Sequence, residues 1–193
     1  MGTTFNSAYR DARRRFLTAT AGATLSAGGI ALLSGVGARA AAASDGIDHA
    51  LSDVQILNSA VAAEHEAVAA YQLGADSGLL SAAAAKTAIA FQSHHKAHVD
   101  ALAGAIRKLG GEPVAGKASY AFPADELGSE RDVLEFAAGL ERGAVTAYAG
   151  AIPRFDDRQL SLAAASILAD EAMHWAVLRS VLGLDPVPGA FFS

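Results

Sequence analysis

Six residues combine the chemistry of metal ligands with the spacing of buried helix faces: Glu64, His95, His98, Glu141, Glu171 and His174. The last two stand in ILADEAMHWAVLRS, Ile167 to Ser180, a segment otherwise mostly apolar or small. Alternating steps of three and four through them give Leu160, Ala164, Ile167, Glu171, His174, Leu178 and Val181. Such a stripe faces a core. The same steps give Phe91, His95, His98 and Leu102; Leu57, Val61, Glu64, Val68 and Tyr71; and Leu134, Ala138, Glu141, Val145 and Tyr148. Each stripe is apolar except near its middle. Taken singly, every one of the six has an ordinary explanation: Glu171 and His174 as a solvated pair, Glu64 as a surface residue, His95 and His98 as core histidines bonded to neighbours. Four stripes that each bury an acid or an imidazole at one level are a different matter, because unpaired buried charge is strongly unfavourable. Glu and His ligands in a bundle core suit iron or manganese. A metal-free answer also balances, since three protonated histidines neutralise three carboxylates. His94 reads as a flanking residue. Tyr71 and Tyr148 read as packing residues with hydrogen-bonded hydroxyls.

The elements that must position these groups follow from the 3.6-residue periodicity and its punctuation. The pattern predicts helices over roughly 47–74, 79–109, 130–152 and 158–182. Gly74, Asp76, Ser77 and Gly78 end the first; Gly110, Gly111 and Pro113 close the second; Pro153 ends the third. Asp156 and Asp157 offer caps for the fourth, and Gly183 and Pro186 close it. The stretch GEPVAGKASYAFPADELGS reads as a long connection. Two short links and one long central link predict an all-α four-helix bundle with a crossover between helices 2 and 3. The halves echo each other: Tyr71 follows Glu64 as Tyr148 follows Glu141, and Glu171 in the second half corresponds to His95 in the first. A duplicated helix pair with pseudo-twofold symmetry would gather all six polar groups at mid-bundle.

The chain has 193 residues, 52% of them hydrophobic, and a formal net charge of −5. That suits one domain of ordinary size. No basic stripe points to nucleic acid. There is no cysteine, which excludes disulfides and thiolate metal sites. Residues 1–40 stand apart. Arg13, Arg14 and Arg15 precede Phe16, Leu17 and a weakly apolar run, and Ala38-Arg39-Ala40 follows as a small-x-small cleavage pattern. This is the layout of an export signal. Arg13-Arg14-Arg15-Phe16-Leu17 resembles the twin-arginine motif, with Ala12 where Ser or Thr is usual. The mature domain is then expected to span 41–193.

Glu64, Glu141 and Glu171-x-x-His174 resemble the ligand pattern of ferritin-like di-iron carboxylate proteins, over roughly Leu51 to Pro186. More narrowly, the chain looks like the bacterial ferritin-like domain proteins that carry twin-arginine signals. The resemblance implies a ferritin-like bundle, a di-iron or manganese centre, and ferrous oxidation or peroxide detoxification in oxidative stress. It also implies export by the twin-arginine translocation machinery to a bacterial periplasm or cell envelope. A homo-oligomer is compatible with it. The departure is His95-x-x-His98 where the family uses Glu-x-x-His. Three carboxylates leave two divalent ions at net +1, so an added anion or a single ion would be needed. A non-enzymatic envelope or stress protein with a degenerate or metal-free site is the alternative.

Overall fold

The computed structural model describes residues 47–192, with side chains from residue 52 onward. The expected export signal over 1–40, with its cleavage pattern, lies outside the described residues. Those residues form four α-helices: α1 (Ile47–Asp76), α2 (Ala82–Lys108), α3 (Glu130–Ala151) and α4 (Arg158–Val181). Two single 3-10 turns complete the described elements, and none of these is a strand. No described helix is long and apolar enough to cross a membrane.

The helix ends show local chemistry at work. Ser81, Ser129 and Asp157 accept from the backbone N–H groups of Ala84, Asp132 and Gln159, which caps α2, α3 and α4. Gly110 and Gly183 adopt positive φ and close α2 and α4. In each case the glycine and its successor donate to carbonyls of the last turn: Gly110 to Arg107 and Gly111 to Ile106, Gly183 to Ser180 and Leu184 to Arg179. Two boundaries differ from the periodic reading. Helix α1 continues through Gly74 to Asp76, and a Cβ at Gly74 would stand 3.2 Å from Val133 Cγ1. A small residue there is thus matched to the approach of α3. Helix α2 starts at Ala82 rather than Leu79 because Ser81 supplies the cap.

The topology follows from contacts between the ends. Ser81 Oγ donates to Glu130 Oε1 at 2.6 Å, so the start of α3 lies beside the start of α2. Asp53, only 2% exposed, accepts from the backbone N–H groups of Asp156 and Asp157 at 3.0 and 3.1 Å. This pins the α3–α4 link to the beginning of α1. The chain therefore runs up α1, down α2, crosses the full length of the bundle, then runs down α3 and up α4. The crossover travels along α1: Asn58 donates to Glu112 O and accepts from Val114 N, and Gly116 lies against the His65 ring.

Two apolar clusters fill the bundle. One contains Leu57, Val61, Leu102, Ile106, Leu160 and Ile167. The other contains Tyr71, Ala84, Phe91, Leu134, Leu178 and Leu182. The stripes hold, with one drift: Val181 is 56% exposed and Leu182 is buried in its place. A straight α-helix turns by about 20° per heptad relative to a strict 3.5-residue stripe. Three heptads separate Leu160 from Val181, so the stripe has moved off the core by then.

Candidate metal centre

Between the two apolar clusters, the four helices bring all six residues together. Glu64 from α1, His95 from α2, Glu141 from α3, and Glu171 and His174 from α4 are each at most 3% exposed. His98 is less covered, with 13% of its side chain accessible. Their ligand atoms fall into two overlapping groups. Glu64, His95, His98 and Glu171 offer four atoms all within 4.8 Å of one another, and so do His95, Glu141, Glu171 and His174. His95 and Glu171 belong to both groups. The geometry is that of two adjacent four-donor sites with two shared residues.

The tyrosines tie the halves crosswise. Tyr71 on α1 donates to Glu141 on α3. Tyr148 on α3 donates to Glu64 Oε1 on α1 at 2.5 Å. Burial, followed by the charge of the facing carboxylate, pushes both hydroxyls well above the usual range. Both therefore remain proton donors. Tyr148 holds Oε1 of Glu64 and leaves Oε2 to His95 and His98, whereas Tyr71 holds the same Glu141 oxygen, Oε1, that faces His95 and His174.

His95 lies between two acids. Its Nδ1 is 2.8 Å from Glu64 Oε2 and its Nε2 is 3.3 Å from Glu141 Oε1. Burial works against its charge, but the contacts with Glu141 and Glu64 prevail and raise it to about 11. His98 and His174 behave likewise. Burial lowers them, the facing acids raise them, and each stands at about 9. For His98 the facing acids are Glu171 and Glu64; for His174 they are Glu141 and Glu171. Glu64 and Glu141 stay below the ordinary carboxylate value: burial raises them, but the facing histidines outweigh it. Without metal, the three histidines favour their charged form against the acids that face them.

Charge balance does not satisfy the atoms. His98 Nδ1, His174 Nδ1, Glu141 Oε2 and both carboxylate oxygens of Glu171 are buried without an aligned hydrogen bond. His98 Nδ1 lies 3.0 Å from Glu171 Oε1, and His174 Nδ1 lies 3.4 Å from Glu171 Oε2. These are ion-pair distances with the donor directions missing. Unpartnered buried polar atoms are rare in folded proteins. Five in one cluster, all nitrogens and oxygens of the kind that bind iron or manganese, fit a cation as the missing partner.

Two residues outside the sequence-derived set complete the surroundings. Asp170 Oδ2 stands 3.3 Å from both His98 Nε2 and His174 Nε2. It thus faces the outer nitrogens of the two rings whose inner nitrogens point at the cluster, as carboxylates do behind metal-bound histidines. His94 is on the rim, with 47% of its side chain exposed, yet its Nδ1 is 2.9 Å from His174 Nε2 and 3.0 Å from Asp170 Oδ2. Asp170 carried a sequence signal: it precedes His174 by one helical turn. Phe91 stacks on the His174 ring with centroids 4.0 Å apart. Beyond Tyr71 and Phe91 lies an apolar cavity of about 150 Å³ that Leu80, Leu134 and Leu178 help to line.

The fold has solved counterparts. A conserved hypothetical protein from Mycobacterium tuberculosis superposes with a TM-score of 0.64 at 21% identity, covering 73% of this chain and 97% of that one. A protein from Bacillus anthracis described as ferritin-like and diiron-carboxylate gives 0.61 at 21% identity, over 69% and 97%. A Dps mutant from Listeria innocua gives 0.58 at 16% identity, over 70% and 96%. No curated protein matches the chain by sequence. The model of the ferritin-like domain, however, matches residues 52–184, which takes in all four stripes and every residue of the cluster. On that match, and on a four-helix bundle with the crossover where such a fold requires it, the chain belongs to the ferritin-like domain family.

Proposed function

We propose that this is an exported ferritin-like protein whose bundle core holds a non-haem iron or manganese centre, with Glu64, His95, His98, Glu141, Glu171 and His174 as its ligands. The observation that carries the reading is the convergence of five buried nitrogen and oxygen atoms that lack aligned hydrogen bonds. The two overlapping donor groups, which share His95 and Glu171, support a pair of ions. The Bacillus anthracis relative, described as diiron-carboxylate, supports iron. When bound, such a centre would pass electrons from ferrous iron to an oxidant such as peroxide. The protein's own part is positional. Tyr71 and Tyr148 orient Glu141 and Glu64, Asp170 orients His98 and His174, and the apolar clusters on either side keep bulk water from the ions.

Metal analysis of natively purified protein is the direct test. Iron or manganese is expected, and Glu171→Ala is expected to lose it because Glu171 serves both donor groups. Glu66→Ala, off the stripe, should retain it. Equal metal content in all three proteins would sink the reading. The export proposal rests on the arginine cluster and Ala38-Arg39-Ala40. The mature protein is expected to begin near Ala41, and intracellular retention of the full-length chain would contradict it.

One observation favours a metal-free alternative, a non-enzymatic protein: three raised histidines already neutralise three carboxylates. A chelator separates the two. It lowers the melting temperature if metal is part of the native core and leaves it unchanged if protons alone balance the charge.

A further inference from the structure

The six-residue cluster uses one nitrogen of His174, Nδ1, which lies 3.5 Å from Glu141 and 3.4 Å from Glu171. The other nitrogen faces away from it. His174 Nε2, His94 Nδ1 and Asp170 Oδ2 form a triangle with edges of 2.9, 3.0 and 3.3 Å. Two histidines and one carboxylate are a recognised donor set for divalent first-row metals with open positions. Bond lengths of about 2.1 Å place neighbouring ligands of a six-coordinate ion about 3.0 Å apart. The triangle already has those edges. It also lies on the wet side of the cluster: His94 and Asp170 have 47% and 22% of their side chains exposed. His98, the least covered of the six, is beside it. Along the bundle axis both directions are closed by apolar side chains, which exclude a hydrated cation.

We propose that His94, Asp170 and His174 form an outer divalent-cation site that captures metal and passes it to the inner centre through the His174 ring. The inference rests on the metal reading above and adds the route of loading. A neutral imidazole carries one ring proton, so it ligates with one nitrogen and donates from the other. With the cation outside, Nε2 is the ligand and Nδ1–H faces Glu141 and Glu171. With the cation inside, Nδ1 is the ligand and Nε2–H faces Asp170. Occupancy of one site therefore disfavours the other at His174. The outer site is a station, emptied as the inner one fills. The protons balance: capture of the cation at Nε2 releases any proton held there to solvent, transfer inward moves the remaining ring proton from Nδ1 to Nε2, and no electron is involved.

The test uses the full mature chain, cobalt(II) as probe, no oxidant, and stopped-flow absorbance in the ligand-field region. The parent is expected to show a fast phase, for the outer site, and a slower phase ending in the inner centre. His94→Ala, at a half-exposed position, should lose the fast phase and fill the inner centre about tenfold more slowly, the scale by which charged clefts speed capture of ions. Its final cobalt stoichiometry and spectrum should equal the parent's. His65→Ala, a histidine of α1 outside both sites, should keep both phases. Loading of His94→Ala at the parent's rate overturns the outer site. A lower final stoichiometry in His94→Ala also overturns it, because His94 would then be a ligand of the inner centre. A parent that takes up no cobalt overturns the metal reading itself, and the outer site with it.

Discussion

Helices α1 and α2 bring Glu64, His94, His95 and His98 to the middle of the bundle; α3 and α4 bring Glu141, Asp170, Glu171 and His174. The frame is the same in both pairs. An acid on the first helix accepts from the tyrosine of the other pair, and a histidine on the second helix points one nitrogen inward. The residue types before that histidine differ, basic in one pair and acidic in the other. One pair has His94 and His95 where the other has Asp170 and Glu171. These residues meet across the pseudo-twofold axis, His94 Nδ1 at 3.0 Å from Asp170 Oδ2 and His95 Nδ1 at 3.6 Å from Glu171 Oε1. A strict repeat would have crowded acids against acids. The change of sign lets the core neutralise itself with protons when no metal is bound. It also leaves two divalent ions one negative charge short of balance. If the proposed pair of ions binds there, the asymmetry would exchange affinity for the second ion against stability of the metal-free fold.

Restoring the symmetry is the strongest way to break that comparison. His95→Glu replaces a buried imidazolium with a fourth carboxylate. The metal-free variant should be destabilised by about 3–5 kcal/mol, the scale for removing one partner of a buried ion pair. With metal present it should recover, and it should bind more iron per chain than the parent. Thermal unfolding with and without metal, together with a metal titration, reads both effects. A variant that is as stable as the parent without metal, or binds less iron, would show that His95 does not stand in for a glutamate.

The pH dependence sharpens the comparison at the level of protons. In the metal-free protein the folded state raises His95 to about 11, and His98 and His174 to about 9, from an ordinary value of 6.5. Raised values mean that the folded state binds protons more tightly than the unfolded state. Their stabilising contribution is complete below 6.5 and is lost as pH climbs, first through 9 and then through 11. The melting temperature of the metal-free chain should therefore fall between pH 7 and 10. The metal-loaded protein should depend less on pH in that range, since bound metal has displaced those protons. Parallel curves for the two forms would contradict the idea that metal and protons compete for the same atoms.

The smallest effect tests where the halves remain alike. Tyr71→Phe and Tyr148→Phe each remove one hydroxyl donor to a buried carboxylate, a loss of about 1.5–3 kcal/mol. Because the two hydroxyls do reciprocal work, the two losses should match. Chemical denaturation of both variants checks this, and a large inequality would mean that the pseudo-symmetry stops short of the tyrosines.

The residue order by itself determined the helices, their approximate ends, the crossover and the six polar intruders on four apolar stripes. These are properties of local periodicity, capping and turn chemistry, which act over a few residues. The family resemblance was legible for the same reason, since Glu64, Glu141 and Glu171-x-x-His174 keep their stripe positions. What only the tertiary structure decided is which atoms of those residues meet. Asp170 and His94 each lie one position before a stripe residue, and on one helix such positions read as flanks. They become neighbours of His174 because α2 and α4 run side by side with their midpoints level. That alignment arises from the crossover, which carries the chain back to the end of the bundle where α2 begins, and from Ser81 and Asp53, which anchor the start of α3 at that end and the α3–α4 link at the other. The direction of each imidazole nitrogen was likewise settled by its neighbours across the bundle. A stripe states which way a side chain leaves its helix, and the facing helices state what it finds there.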